Sequence, residues 1–423
     1  MRSSELADLG RLGGDALARP AAAIGDVHRA VAGRVFGVLG LLGAPVRLLH
    51  DGISTAAYGG VRGAMRLAPR AAVAPLARAV PASARAMADS RTGSLALAAL
   101  NGAWGDTLVT THPELALELT VRRRGEAVVL DSEGLAGAFP DAGPRIAVFL
   151  HGLCETEAAW RLGGRPSYGA RLRDDLGHTP VEVRYNTGLH VSENGRRLSE
   201  VLDHLTAAWP VEVEEIVLVG HSMGGLVARS ACHYGAAEDA AWARRVRHVF
   251  CLGTPHLGAP MERAANLAGW ALTRLPETRP FGELVNLRSS GIKDMRFGSC
   301  VEPDWCDCDP DEFLHDRCTE VPFLDCATYY FIGATVSRRA DDPLGRVIGD
   351  LLVNFPSASG SGRRRRLPFE IDNGRHLGGL THFALLNHPA VYGQIRAWLE
   401  RGARQLQASP TGTSSARLAK PVA

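Results

Sequence analysis

The run Gly220-His221-Ser222-Met223-Gly224-Gly225 follows an apolar stretch, Ile216-Val217-Leu218-Val219, and precedes a helical pattern expected to begin near Leu226. G-x-S-x-G in a strand, turn, helix context places a serine on a sharp turn, where flanking glycines let the surrounding backbone come close. Ser222 is therefore the candidate nucleophile. Its hydroxyl needs a base to take the proton and N–H donors to face the oxyanion that forms on the attacked carbon. The donors expected are the backbone N–H of Met223 and that of Leu153, the latter in the loop of Phe149-Leu150-His151-Gly152-Leu153. His151 precedes the nucleophile in the chain and reads as an orienting residue of that loop.

In this kind of site the chain order is nucleophile, acid, base. Of the histidines His376, His382 and His388, the expected base is His382, in Leu380-Thr381-His382-Phe383-Ala384, a loop that feeds the last helix. The acid must fall between Tyr329 and His382. Asp350, in Ile348-Gly349-Asp350-Leu351-Leu352-Val353, is the candidate, with Asp341, Asp342 and Asp372 as alternatives. Its role would be to fix the histidine tautomer and to stabilise the imidazolium.

The elements that must position these residues are short buried strands at Ile146–Leu150, Val181–Tyr185, Ile216–Val219, Val246–Leu252 and Tyr329–Ile332. Helical spacing at Leu198, Val201, Leu202 and Leu205, and again from Val227 to Cys232, lies between them. Strands that are apolar throughout and separated by helices imply a parallel sheet covered on both faces. The expected fold is α/β, a doubly wound, mostly parallel sheet with an inserted cap and an N-terminal helical extension. Residues 1–100 form that Ala/Gly/Arg-rich extension, 101–401 the catalytic domain, about 257–327 its cap, and 402–423 a disordered tail.

The 423 residues carry 47 basic against 45 acidic side chains, a formal charge of +2, which is too balanced for the footprint of a nucleic-acid binder. Only Lys293 and Lys420 are lysines, so nearly all the positive charge is arginine, as a GC-rich coding sequence would produce. The N-terminal hundred is basic, with 12 arginines against 6 acids, and Val301–Glu320 is acidic, with 8 acids against Arg317. The twelve residues Val35–Val46 are uncharged but too few to span a bilayer. They read as a packed helix or as an interfacial one, with Arg62, Arg66, Arg70 and Arg78 near anionic headgroups. No secretory leader is evident, so a cytoplasmic or peripherally membrane-associated location is expected.

Five of the eight cysteines, Cys300, Cys306, Cys308, Cys318 and Cys326, share one acidic segment. The absence of C-x-x-C pairs argues against zinc, and Glu312 and Cys318 stand where an EF-hand needs glycine and a bidentate acid. Disulfides and reduced thiols both remain open. The segment is expected in the cap above Ser222. The arginine run Arg363–Arg366 reads as exposed by default. No cofactor or metal is expected.

Five segments together resemble the α/β-hydrolase superfamily, and within it bacterial lipase-like hydrolases of the PGAP1-like (GPI inositol-deacylase-like) type. They are F-L-H-G-L, V-G-H-S-M-G-G-L-V-A-R, L-G-T-P-H-L-G-A-P, G-D-L-L-V and T-H-F-A-L-L-N-H-P. The resemblance runs from about residue 145 to 400 and leaves out the first hundred residues and the cysteine cluster. It implies an ester hydrolase with a cap after the G-T-P-H-x-G strand. Leu351 departs from the G-D-G of many lipases. A serine esterase acting on acyl-ester or lipid-like substrates is the expected function. Thioesterase, polyester depolymerase and non-catalytic binding protein are the alternatives. Peripheral membrane contact through the N-terminal region is the one further partner expected, and the oligomeric state is left open.

Overall fold

Strands that are largely apolar must be covered on two faces, and the computed structural model, which describes residues 1–39, 44–339 and 349–408, shows how that is done. An eight-stranded sheet runs in the order β2-β1-β4-β3-β5-β6-β7-β8. The strands are β1 Thr120–Arg123, β2 Glu126–Ala127, β3 Arg145–Leu150, β4 Thr179–Arg184, β5 Glu215–His221, β6 Val246–Leu252, β7 Thr328–Thr335 and β8 Gly374–Gly378. β1 pairs antiparallel with β2 and β4, and all remaining pairs from β4 to β8 are parallel. The β1–β2 ribbon and β8 were not anticipated; they are two to five residues long, with half-exposed or basic side chains, and carry no apolar run.

Alternate residues of each strand enter opposite cores. Ile146, Val148, Ile216, Leu218, Val249 and Cys251 pack with α6 (Val191–Ala208) and α7 (Met223–Ala237). Ala147, Phe149, Val217, Val219, Phe250 and Leu252 pack with α5 (Tyr168–Leu176) and α11 (Pro389–Ala408). At about 1.5–3 kcal/mol for each large apolar side chain buried, these two layers dominate the stability of the domain. Connections between the parallel strands leave the loops after β3 and β5, and those following β7 and β8, on one end of the sheet, which is where ligands bind in folds of this kind.

The N-terminal extension is a hairpin of long helices, α1 (Ser3–Leu39) and α2 (Ala44–Ala79). Its base is fixed by polar contacts: the Met87 N–H donates to the Glu5 carboxylate at 2.8 Å, and the Glu114 N–H to Asp8 at 3.2 Å. Farther along, Arg34 pairs with Glu277 at 2.6 Å. α3 (Arg91–Thr111) runs straight through residue 100, so no element ends where the extension was expected to stop. Likewise α11 continues to Ala408, past the expected start of the tail, with Val391, Ile395, Trp398 and Leu399 burying one face of its earlier turns; residues 409–423 lie outside the described residues. α4 (Ser132–Ala138) is a short helix before β3.

Between β6 and β7 the cap contributes α8 (Pro260–Leu272), α9 (Arg279–Asn286) and α10 (Ser290–Asp294), followed by mostly irregular chain. The cysteine and aspartate cluster does not stand above Ser222 as expected. Cys300 and Val301 are buried in the core on the α6/α7 side, Ser230 donates to the Cys300 carbonyl at 2.6 Å, and Trp305 stacks on His190 at 3.8 Å. These apolar and aromatic contacts pull the segment down onto the flank of the domain. All eight cysteines are free.

Candidate active site

Ser222 sits at the end of β5 with φ +53° and ψ −122°, a left-handed conformation for a residue that has a Cβ. Such strain costs about 1–3 kcal/mol and persists only where the surroundings enforce it. The enforcement comes from α7, which begins at Met223, three residues earlier than the periodicity suggested, and from the loop after β3. Gly224 is where these meet: a Cβ there would lie 2.3 Å from the Leu150 carbonyl oxygen and 2.7 Å from that of His151. Only glycine permits that approach.

His382 is 2% exposed and Asp350 1%. His382 Nδ1 lies 2.7 Å from Asp350 Oδ2, and the His382 backbone N–H donates to the Asp350 carbonyl at 2.9 Å. The other carboxylate oxygen of Asp350 accepts from the N–H groups of Val353 (2.8 Å) and Leu352 (3.1 Å), which fixes the carboxylate. Leu351, the residue that departs from G-D-G, has φ +91°, so the turn keeps a conformation that favours glycine although the side chain is leucine. Nε2 of His382 is buried with no partner among the described residues.

Gly253, at φ +61° in the G-T-P-H segment, backs onto the base: a Cβ there would come within 3.1 Å of His382 Cε1. Ser222, His382 and Leu153 line one cavity of about 430 Å³. Its walls are mainly apolar, with Met261 from α8, Ile292 from α10, Met295, Val353 and Phe383 among them, alongside Glu155, Glu262 and Arg288. Met223 adjoins Ser222 as the first residue of α7, where a helix leaves its N–H groups without an intrahelical acceptor. The structure thus brings together Ser222, Asp350, His382, Leu153 and Met223.

The alternatives fare differently. Asp372 is exposed in the turn before β8, His376 bonds Thr335 at 2.8 Å, and His388 accepts from the Ala390 N–H at the start of α11. Asp341 and Asp342 lie outside the described residues. His151 is fully buried, stacked on Tyr185, with Nε2 accepting from the Tyr185 N–H at 3.3 Å, in keeping with an orienting role.

A second acid–histidine pair was not anticipated. Glu155 Oε2 accepts from the Gly152 N–H at 2.7 Å and faces His221 Nδ1 at 3.1 Å, while His221 Nε2 faces the His382 carbonyl at 3.2 Å. One carboxylate therefore ties the loop after β3 to the elbow, and the elbow histidine ties both to the loop of His382. Burial on its own disfavours both charges. Their mutual attraction more than offsets it, so the His221 pKa stands above the usual imidazole value and that of Glu155 below the usual carboxylate value. The signal in the sequence was the histidine inside G-H-S itself, with a glutamate three residues beyond Gly152. Among the described residues no group of three or more His, Cys, Asp or Glu is placed to hold a metal ion.

The strand order, crossovers and elbow define a protein of the α/β-hydrolase fold. Within it, residues 182–279, which hold the elbow, the G-T-P-H-x-G segment and α8, match the family model described as the PGAP1-like alpha/beta domain, as the motifs led us to expect. No curated protein matches the chain significantly. Among solved structures it is similar to the lipase BlEst2 of Bacillus licheniformis in mature form, with 21% identity, 60% of this chain and 91% of that one covered, and a TM-score of 0.38. It is also similar to the RedJ thioesterase of the prodiginine pathway in Streptomyces coelicolor (21% identity, 62% and 91% covered, TM-score 0.32). A third is the naproxen esterase of Bacillus subtilis (14% identity, 62% and 84% covered, TM-score 0.33). With TM-scores below 0.5, the fold assignment rests on the topology and not on these likenesses.

Proposed function

We propose that the protein is a serine ester hydrolase that cleaves acyl esters of lipid-like character through an acyl-Ser222 intermediate. The observation that carries this reading is the buried Asp350–His382 pair, whose free Nε2 and the strained Ser222 share one mainly apolar cavity. In the first half-reaction His382 Nε2 takes the Ser222 proton as Oγ bonds to the acyl carbon, and the N–H groups of Leu153 and Met223 receive the oxyanion. His382 then protonates the leaving alcohol as the ester C–O bond breaks. In the second half, water attacks the acyl-serine with His382 as base, releasing the acid and restoring Ser222. Asp350 holds the histidine tautomer and stabilises the imidazolium throughout.

A cavity of about 430 Å³ with mainly apolar walls suits an acyl chain, since small-molecule sites run from about 300 to 1,000 Å³. Thioesterase or polyester depolymerase activity would use the same residues, because specificity lies in the pocket. No described helix is long and apolar enough to cross a membrane. Peripheral contact is supported instead by the exposed Leu17, Ile24, Val31 and Val35, which recur on one face of α1. Arg66 and Arg70 both reach Asp15 at 3.4 Å, which leaves Arg62 and Arg78 as the arginines of α2 for anionic headgroups. The test is trapping with an alkyl fluorophosphonate: intact mass should rise by one adduct, and peptide mapping should place it on Ser222. No adduct, or an adduct elsewhere, would overturn the reading.

A further inference from the structure

The antiparallel side of the sheet carries a second cavity, of about 580 Å³, which shares no lining residue with that of Ser222. It lies between β1, β4 and the first turn of α5. Six of its twelve lining residues are arginines, Arg122, Arg123, Arg124, Arg161, Arg165 and Arg173, against one carboxylate, Glu182. Arginine is about one residue in nine of the whole chain, so the coding bias that enriches it everywhere does not explain a cleft in which it is one in two.

Four of the six are held in place. Arg161 Nη2 donates to both oxygens of Glu182 at 2.8 and 2.7 Å, Arg173 lies 3.1 Å from Asp174, Arg122 donates to the Gly125 carbonyl and to Asp89 at 3.4 Å, and Arg123 sits over the Phe139 ring. The side chains of Arg124 and Arg165 have no partner among the described residues. Nε of Arg122, in a side chain only 4% exposed, is buried and unpaired. Burial, then the charges of Arg124 and Arg173, hold the Arg123 pKa below its ordinary value, with Glu182 opposing them. The first turn of α5 adds to it, with Ser167 and Ala170 on the cavity wall at the helix end that carries partial positive charge.

We propose that this edge cleft binds a soluble phosphorylated small molecule, with Arg124 and Arg165 as the two free forks that close on its phosphate oxygens. Guanidinium groups match phosphate geometry through paired N–H donors. The volume is that of a small-molecule site. None of the lining residues is aromatic, so no ring offers a nucleobase a stacking surface, and the near-neutral chain provides no extended track for a polyanion. The recognised group is the phosphate.

The experiment is titration calorimetry of the full chain with inorganic pyrophosphate at about 150 mM ionic strength, set against orthophosphate and against sodium chloride at matched ionic strength. Saturable pyrophosphate binding is expected, weakened about tenfold or more in Arg124→Ser/Arg165→Ser. The melting temperature of the free protein should not change, because neither side chain holds a partner. Equal binding by the double variant, or heat reproduced by chloride alone, would overturn the proposal. So would arginine-dependent sedimentation with phosphatidylglycerol vesicles in the absence of pyrophosphate binding, which would place the phosphate on a lipid. The cleft stands apart from Ser222, so a failed trapping experiment leaves this test intact.

Discussion

Glu155 and His221 do the least visible work near Ser222, and their charge state sets a pH signature. The raised pKa of His221 means that its stabilising contribution is full below the unfolded imidazole value of about 6.5 and is lost as pH rises through the folded value. The lowered pKa of Glu155 means that its contribution is full above about 4.3 and is lost as pH falls through the folded value. Glu155→Gln leaves a buried histidine without its counter-charge and should cost about 3 kcal/mol. The melting-temperature deficit of that variant should be largest between about pH 4.5 and 6.5 and should shrink at higher pH; a deficit that does not shrink above about pH 6.5 would show that the pair does not hold opposite charges. Ser222, His382 and Asp350 were legible in the sequence because each stands in a local pattern. Glu155 was not, because its partner is 66 residues away and only the fold brings them together.

Among the elements, the parallel strands β3 to β7 were legible to within three residues at each end, since burial on both faces keeps them largely apolar, whereas β8 was not. The cap was legible only as a length. Which part of it would roof the site depended on where its side chains found partners: the cysteine-bearing segment settled on the α6/α7 flank, and α8 and α10 took the roof. Glu262 of α8 fixes that roof, receiving two bonds of 2.9 Å from Arg288 and one of 3.1 Å from Arg296. Arg365, expected to be exposed, is half-buried and bonds the carbonyls of Phe297 (2.9 Å) and His256 (3.3 Å), while Arg363, Arg364 and Arg366 are exposed. If α10 forms a wall of the acyl site, Ile292→Trp should shift the preferred p-nitrophenyl ester to a shorter acyl chain by raising KM for long chains while sparing kcat for acetate. An unchanged chain-length profile would remove Ile292 from the acyl site.

For the whole molecule, the hairpin of α1 and α2 sets this chain apart from a bare hydrolase domain. α1 alone is about 55 Å long at 1.5 Å per residue, and Arg34 near its far end reaches Glu277 in the cap. The composition showed this region to be basic and helix-prone, but its alanine-rich sequence did not reveal two helices packed on each other. If the stripe on α1 contacts lipid, Ile24→Asp/Val31→Asp should cut co-sedimentation with phosphatidylglycerol vesicles several-fold while leaving hydrolysis of a soluble ester unchanged. Equal sedimentation would remove the hairpin from membrane contact. The hydrolase reading itself depends on Ser222, and the most direct measurement is kcat/KM for p-nitrophenyl butyrate in the wild type and in Ser222→Ala. The account predicts a loss of about a thousandfold or more in a variant that melts at the wild-type temperature or above, because the strained side chain has lost only its hydroxyl. A Ser222→Ala protein that retains wild-type hydrolysis would contradict it.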